Sequence, residues 1–185
     1  NDAAEQLARE AAAAQGTEFF LNSGTIAPVA LSLVAETTRF REFGPLAGHT
    51  YSIAASFSPG AGGLLGRRTI EIDARKYIRL GGSGVLAGRV KGFKSGGEAP
   101  EINYFGGNME LRGYPYLGFA GNEGFHANLE LRFPIIDLAA TPLGLVGPLR
   151  GTFFAGVGGA RLPGESFRFS SSQPGVSYVN FDPED

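Results

Sequence analysis

The chain of 185 residues lacks cysteine and tryptophan and has only two histidines, His49 and His126. Without cysteine it can form neither disulfide bonds nor thiolate metal ligands, and the histidines do not stand at a metal-ligand spacing, so we expect no metal and no cofactor. The chain also lacks a run of ~20 apolar residues, which excludes a transmembrane helix but leaves membrane-crossing strands open. Its net charge of −2 offers no basic surface, so we expect no nucleic-acid partner.

Motifs of common catalytic and nucleotide-binding sites are also missing. The chain has no Gly-x-Ser-x-Gly elbow, and its glycine-rich segment at 60–66 misses the spacing of a dinucleotide-binding loop by one residue. Glu71 and Asp73 could act as an acid–base pair, but Arg75 and Arg79 follow on the same face, which favours charge balance. We therefore predict no catalytic residues and no enzymatic activity.

Glycine is abundant, with 29 copies, and this indicates the many turns and bends of an all-β protein. Only the first residues differ. Asp2–Gln15 is rich in alanine and Gly16 is a natural stop, which predicts a short helix. From Pro28 onward apolar residues recur with a period of two. We therefore divide the chain into an N-terminal helical or extended segment at 1–27 and a β-rich part at 28–185.

Two segments alternate most clearly between apolar and polar residues, as strands with two different faces do. In 69–80 only Lys76 interrupts the apolar face, and the opposite face carries Glu71, Asp73, Arg75, Tyr77 and Arg79. In 124–133 the polar face carries His126, Asn128, Glu130 and Arg132. The segment at 50–57 also alternates, with an apolar face and a face of small and hydroxylated residues, and weaker strands at 29–41, 85–94 and 149–161 bring the number to roughly six.

The connections between these strands differ in length: those at 43–48 and 81–84 are short, and the one at 95–123 is long. Outer-membrane barrels have short periplasmic turns and long external loops. We therefore predict an all-β fold, an antiparallel transmembrane β-barrel with a short N-terminal helix and a long external loop at 95–123. Because single-chain barrels of this type have at least ~eight strands, we expect this chain to be a partial barrel. A soluble barrel or sandwich that binds an apolar ligand is the alternative, although the charged face of 69–80 favours a watery lumen.

Two motifs carry a family resemblance. The long loop contains Phe-Gly-Gly-Asn-Met-Glu-Leu-Arg-Gly-Tyr at 105–114, and the next strand reads Asn-Leu-Glu-Leu-Arg-Phe-Pro at 128–134. Together with the strand at 73–78 and the segment at 151–156, they resemble the C-terminal barrel of the BamA-like family, also called the bacterial surface antigen family. The resemblance covers roughly Thr69 to Arg161.

The resemblance implies a barrel in the bacterial outer membrane, or in the outer membrane of a bacterial-derived organelle. There it would contact lipid and assist the insertion or translocation of client or partner proteins. Family relatives also include barrels that anchor a lipase-like or propeller-like domain, and a structural subunit of an envelope complex is a further alternative.

The resemblance also implies roles for single residues. Arg112 would latch the long loop inside the lumen, with Glu130 as a possible partner. The latch residues are Gly106, Gly107, Leu111, Arg112, Gly113 and Tyr114. The residues expected to face the lumen are Glu71, Asp73, Arg75, Arg79, His126, Asn128 and Arg132. Where relatives carry a second acidic partner, this chain has Gly156.

Overall fold

The computed structural model describes residues 24–41, 44–82, 84–136, 139–142, 144–147 and 149–169. These residues are all-β and contain no helix. Their strands are β1 (Val29–Glu36), β2 (Arg39–Arg41), β3 (Gly44–Ser58), β4 (Arg67–Arg79), β5 (Val85–Gly97), β6 (Asn103–Phe105), β7 (Phe119–Gly121), β8 (Glu123–Ile136), β9 (Ala139–Thr141), β10 (Gly144–Val146) and β11 (Leu149–Arg161). The helix predicted at Asp2–Gln15 lies outside the described residues.

Six long strands form one antiparallel sheet in the order β1-β3-β4-β5-β8-β11, and β2 pairs with β3. The hairpins β6–β7 and β9–β10 form two small additional sheets. The predicted all-β, antiparallel fold is confirmed. Within the described residues the sheet is open: β1 has no strand on its outer edge, and the outer edge of β11 has only the bridge between Ala160 and Arg168.

One predicted strand and one predicted turn are wrong. The segment at 29–41 is two strands, and the segment at 43–48, expected to be a turn, lies almost entirely in β3. Gly48 causes the break: its φ is 108°, and a Cβ there would collide with the carbonyl oxygen of Thr37. A glycine that lets two strands approach closely gives the same sequence signal as a turn glycine.

The sheet has one apolar and one polar face because residues directly opposite each other in neighbouring antiparallel strands point the same way. The apolar face is exposed. Its exposed side chains include Val29, Leu31, Leu33, Phe57, Ile53, Ile70, Ile72, Val90, Leu129, Leu131, Phe153 and Val157. The described part of the chain covers this face with no second layer, and it contains no helix that is long and apolar enough to span a bilayer.

The buried core lies on the opposite, polar face. It consists of Phe93, Phe105, Leu111, Phe119 and Ala160, with Tyr114 packed against them. Phe93 and Ala160 belong to the main sheet, whereas the others come from the segment between β5 and β8. This long connection therefore folds back over the polar face and positions the candidate site.

Candidate functional site

The connection between β5 and β8, residues 98–122, is called the long loop. Within it, β6 and β7 form a hairpin in which Asn103 pairs with Gly121 and Phe105 pairs with Phe119. The tip between these strands contains the motif that carries the family resemblance. Gly106 has a φ of 136°, and a Cβ there would lie 2.5 Å from the carbonyl oxygen of Pro115, so this tight turn requires glycine.

Leu111 holds the tip against β11. It is 0% exposed, and a Cβ built on Gly156 or on Gly158 would come within 3.0 Å of one of its methyl carbons. The two glycines therefore leave the space that Leu111 occupies. At Gly156, where the family resemblance leads one to expect a second acidic partner for Arg112, the chain has an apolar contact instead.

Aromatic rings hold the base of the long loop. The Phe105 and Phe119 rings stack with their centroids 5.1 Å apart, and Tyr114 meets Phe119 at the same distance. Phe93 of β5 meets the edge of Phe105 at 5.9 Å. Such pairs add to the free energy that burial alone provides. Our sequence reasoning missed this cluster, because aromatic residues in a loop follow no strand or helix period.

Arg112 reaches Glu130 from the loop tip, with 3.1 Å between Nη2 and Oε1. Its guanidinium carbon lies 5.1 Å from the centre of the Phe154 ring, and its Nε donates to the Asn108 carbonyl. Arg132 donates from Nε and Nη2 to the other oxygen of Glu130, at 2.8 and 2.7 Å. Two guanidinium groups therefore share one half-buried carboxylate.

A similar group forms on β4 and β5. Asp73 accepts bidentate hydrogen bonds from Arg75 and from Arg89, with the shorter bond of each pair at 2.7 Å. Our sequence reasoning did not single out Arg89, although the register places it directly opposite Arg75. Glu71 pairs with Lys91, whereas Arg79 donates to the carbonyl of Gly82 and forms no ion pair with any other described residue.

His126 and Asn128 lie beneath the long loop. Asn128 donates from Nδ2 to the carbonyl of Glu110, while Glu110 accepts with Oε2 from the backbone of Gly106. His126 is on the polar face but is fully covered, and its ring stacks on Phe105. On the polar face, where we predicted it, His126 therefore contacts the long loop. Its Nε2 has no hydrogen-bond partner among the described residues.

The structure thus brings most predicted site residues together on one face. Leu111, Arg112 and Tyr114 come from the loop, and Glu130, Asn128 and Arg132 from β8. Gly113 has a φ of 89° in a turn next to Arg112, and the carbonyl of Gly107 accepts a hydrogen bond from the backbone N–H of Leu111. These contacts attach a loop and balance charge. They contain no nucleophile–base pair, and no group of metal-ligating side chains occurs in the part of the chain that the structure describes.

Comparison of the chain with protein-family models, with curated proteins and with solved structures found no match.

Proposed function

We propose that this chain forms part of a BamA-like outer-membrane β-barrel that assists the insertion or translocation of other proteins. In this proposal the apolar face of the sheet contacts lipid, the polar face lines the lumen, and the long loop lies inside the lumen. The exposed apolar face is the observation that carries the proposal. A soluble barrel would turn this face inward and cover it.

The exposed apolar side chains form an oblique band. One register row joins Ala35, Tyr51, Ala74, Val90, Ala127 and Val157 across all six long strands. On β1 the exposed apolar side chains begin six residues before this row, at Val29. On β11 they begin in the row itself, at Val157. The band therefore moves along the strand direction as it crosses the sheet.

The slope of this band agrees with the strand tilt of a barrel. Six residues with a rise of ~3.4 Å each displace the edge of the band by roughly 20 Å along the strands. Across five strand spacings of ~4.8 Å, this displacement corresponds to an angle of about 40° between the band and the register row. Strands in barrels tilt by ~35–45° from the axis. A horizontal membrane crossed by tilted strands produces such an oblique band.

Polar residues bound the band at the end that lies near the long loop. Lys94, Glu123 and Arg161 form ion pairs at the end of the sheet near the long loop. Lys76 of β4, which pairs in register with His49, interrupts the band but does not end it, because Ile78 beyond it is apolar and exposed. Its long side chain can extend along the apolar surface and carry the charge toward water.

The loop contacts support the same orientation. The long loop packs on the charged face, where the ion pair of Arg112 with Glu130 and the hydrogen bond from Asn128 Nδ2 to the Glu110 carbonyl attach it to β8. A loop inside a watery lumen needs such contacts, and a face against lipid could not supply them. The role in insertion or translocation rests on the family resemblance of the loop and of β8.

Fractionation of cells that produce the full-length protein tests the proposal. We expect the protein in the outer membrane, with a gel band in mild detergent that shifts on heating as folded barrels do. A soluble protein without a heat-dependent band would contradict the barrel. Depletion of the protein then tests the activity. A loss of other outer-membrane or secreted proteins supports insertion or translocation, and no such loss would favour an anchoring barrel.

A further inference from the structure

A cavity of about 150 Å³ opens on the polar face beside the loop tip. Its lining includes Arg75, Arg89, Arg132, Tyr77, Asn128 and Glu130. Its volume is several times the ~30 Å³ that one water molecule takes up in the liquid, so a small polyatomic ion fits. The lining is predominantly polar and contains three guanidinium groups.

The ion pairs around this cavity leave hydrogen-bond donors available. A guanidinium has five N–H groups. Arg75 and Arg89 each use two nitrogens to bind Asp73, and Arg132 uses two to bind Glu130. Among the described residues, each of these arginines therefore retains N–H groups beyond those that its carboxylate accepts.

The charge around the cavity is not balanced. Asp73 is shared by Arg75 and Arg89, and Glu130 is shared by Arg112 and Arg132. Each group of two arginines and one carboxylate carries a net charge of +1 at neutral pH, so the two groups together carry +2. A cavity with excess positive charge and unused donors attracts an anion.

We propose that this cavity binds phosphate, either as the free ion or as the monoester group of a larger molecule. A phosphate monoester carries a charge of about −1.5 to −2 at pH 7, which matches the surplus of the two groups, whereas a carboxylate would balance only half of it. Planar guanidinium groups also match phosphate oxygens bidentately. This site goes beyond the proposed function and does not depend on it, because the cavity belongs to the polar face whatever covers the apolar face.

Calorimetric titration of the purified full-length protein with inorganic phosphate tests the site. We expect saturable binding that weakens about tenfold or more in Arg132→Gln, since one charge-assisted set of donors is lost. Glu130 keeps Arg112 as a partner in this variant. Arg132→Lys, which keeps the charge, should recover part of the affinity. Arg79→Gln is the matched control, because Arg79 shares the face but binds the carbonyl of Gly82 and does not line the cavity.

Two further titrations define the ligand. Acetate should bind more weakly than phosphate. Glycerol 3-phosphate should bind if the cavity accepts a monoester, and binding of inorganic phosphate alone assigns the site to the free ion. The proposal is overturned if the folded wild-type protein, verified by its heat-dependent gel band or circular dichroism, shows no saturable phosphate binding. Equal weakening in the Arg132 and Arg79 variants would also overturn it, because the effect would then reflect net charge alone.

Discussion

Leu111 of the long loop fills the space that Gly156 leaves on β11. Leu111 is fully buried, and a Cβ on Gly156 would lie 3.0 Å from Leu111 Cδ1 and 2.7 Å from Asn128 Oδ1. The loop is therefore attached to the sheet by contacts of different kinds, among them a buried leucine at β11 and an arginine ion pair at β8. The apolar contact occupies the position where the family resemblance leads one to expect a second ionic contact.

Leu111→Ala should detach the loop tip. Removal of a buried leucine side chain costs ~2–5 kcal/mol. We expect chymotrypsin to cleave faster near the exposed Tyr116, as measured by gel electrophoresis over time. Met109→Ala is the control, because Met109 is in the same tip but is exposed. Equal cleavage of the two variants would show that Leu111 does not anchor the tip.

The ion pair between Arg112 and Glu130 should appear as a coupling energy. We expect a double-mutant cycle of Arg112→Gln, Glu130→Gln and the double variant to give a coupling energy of about 1 kcal/mol. The free energy of unfolding of each variant is measured by urea titration of the protein in detergent. A larger value is not expected, because Arg112 is one-third exposed and Glu130 keeps Arg132. Additive effects within the error of the measurement would mean that the pair contributes nothing to stability.

Ala54 and Ala55 test which face of the sheet meets lipid. Both are exposed neighbours on β3, and they point to opposite faces. Arginine on the lipid-facing side of a barrel costs up to ~2–4 kcal/mol at the middle of the membrane. We expect Ala55→Arg to reduce the heat-dependent folded band in outer-membrane fractions, whereas Ala54→Arg leaves it nearly unchanged. A protein surrounded by water would tolerate both substitutions alike.

Asp73 should matter more for stability than Glu71, although both are acidic residues on the same face of β4. The Asp73 side chain is 9% exposed and binds two arginines, whereas Glu71 is 41% exposed and binds Lys91. Removing one partner of a buried ion pair costs ~3–5 kcal/mol, and removing a surface pair costs ~0–1 kcal/mol. We expect Asp73→Asn to lower the urea midpoint clearly and Glu71→Gln to leave it nearly unchanged. The reverse order would contradict the assignment of Asp73 as the centre of the charge network.

Local patterns predicted the strands best where one face is charged and the other apolar. The alternation in 69–80 and 124–133 corresponds to β4 and β8, and both motifs of the family resemblance lie where the long loop meets β8. The break between β1 and β2 was missed, because it depends on the approach of Thr37 to Gly48, which no local period encodes. Arg89 was missed as a partner of Asp73, because that contact depends on how β4 and β5 pair.

By itself, the sequence determined that the described part of this protein is all-β and that its strands have one apolar and one charged face, because alternation is a property of each strand alone. Only the tertiary structure decided which strands pair, in which register, and on which face the long loop packs. The packing of the loop on the sheet joins residues distant in the chain, such as Arg112 with Glu130 and Leu111 with Gly156. Those contacts depend on the shape and charge of the strands on which the loop packs. That surface exists only once the sheet has formed.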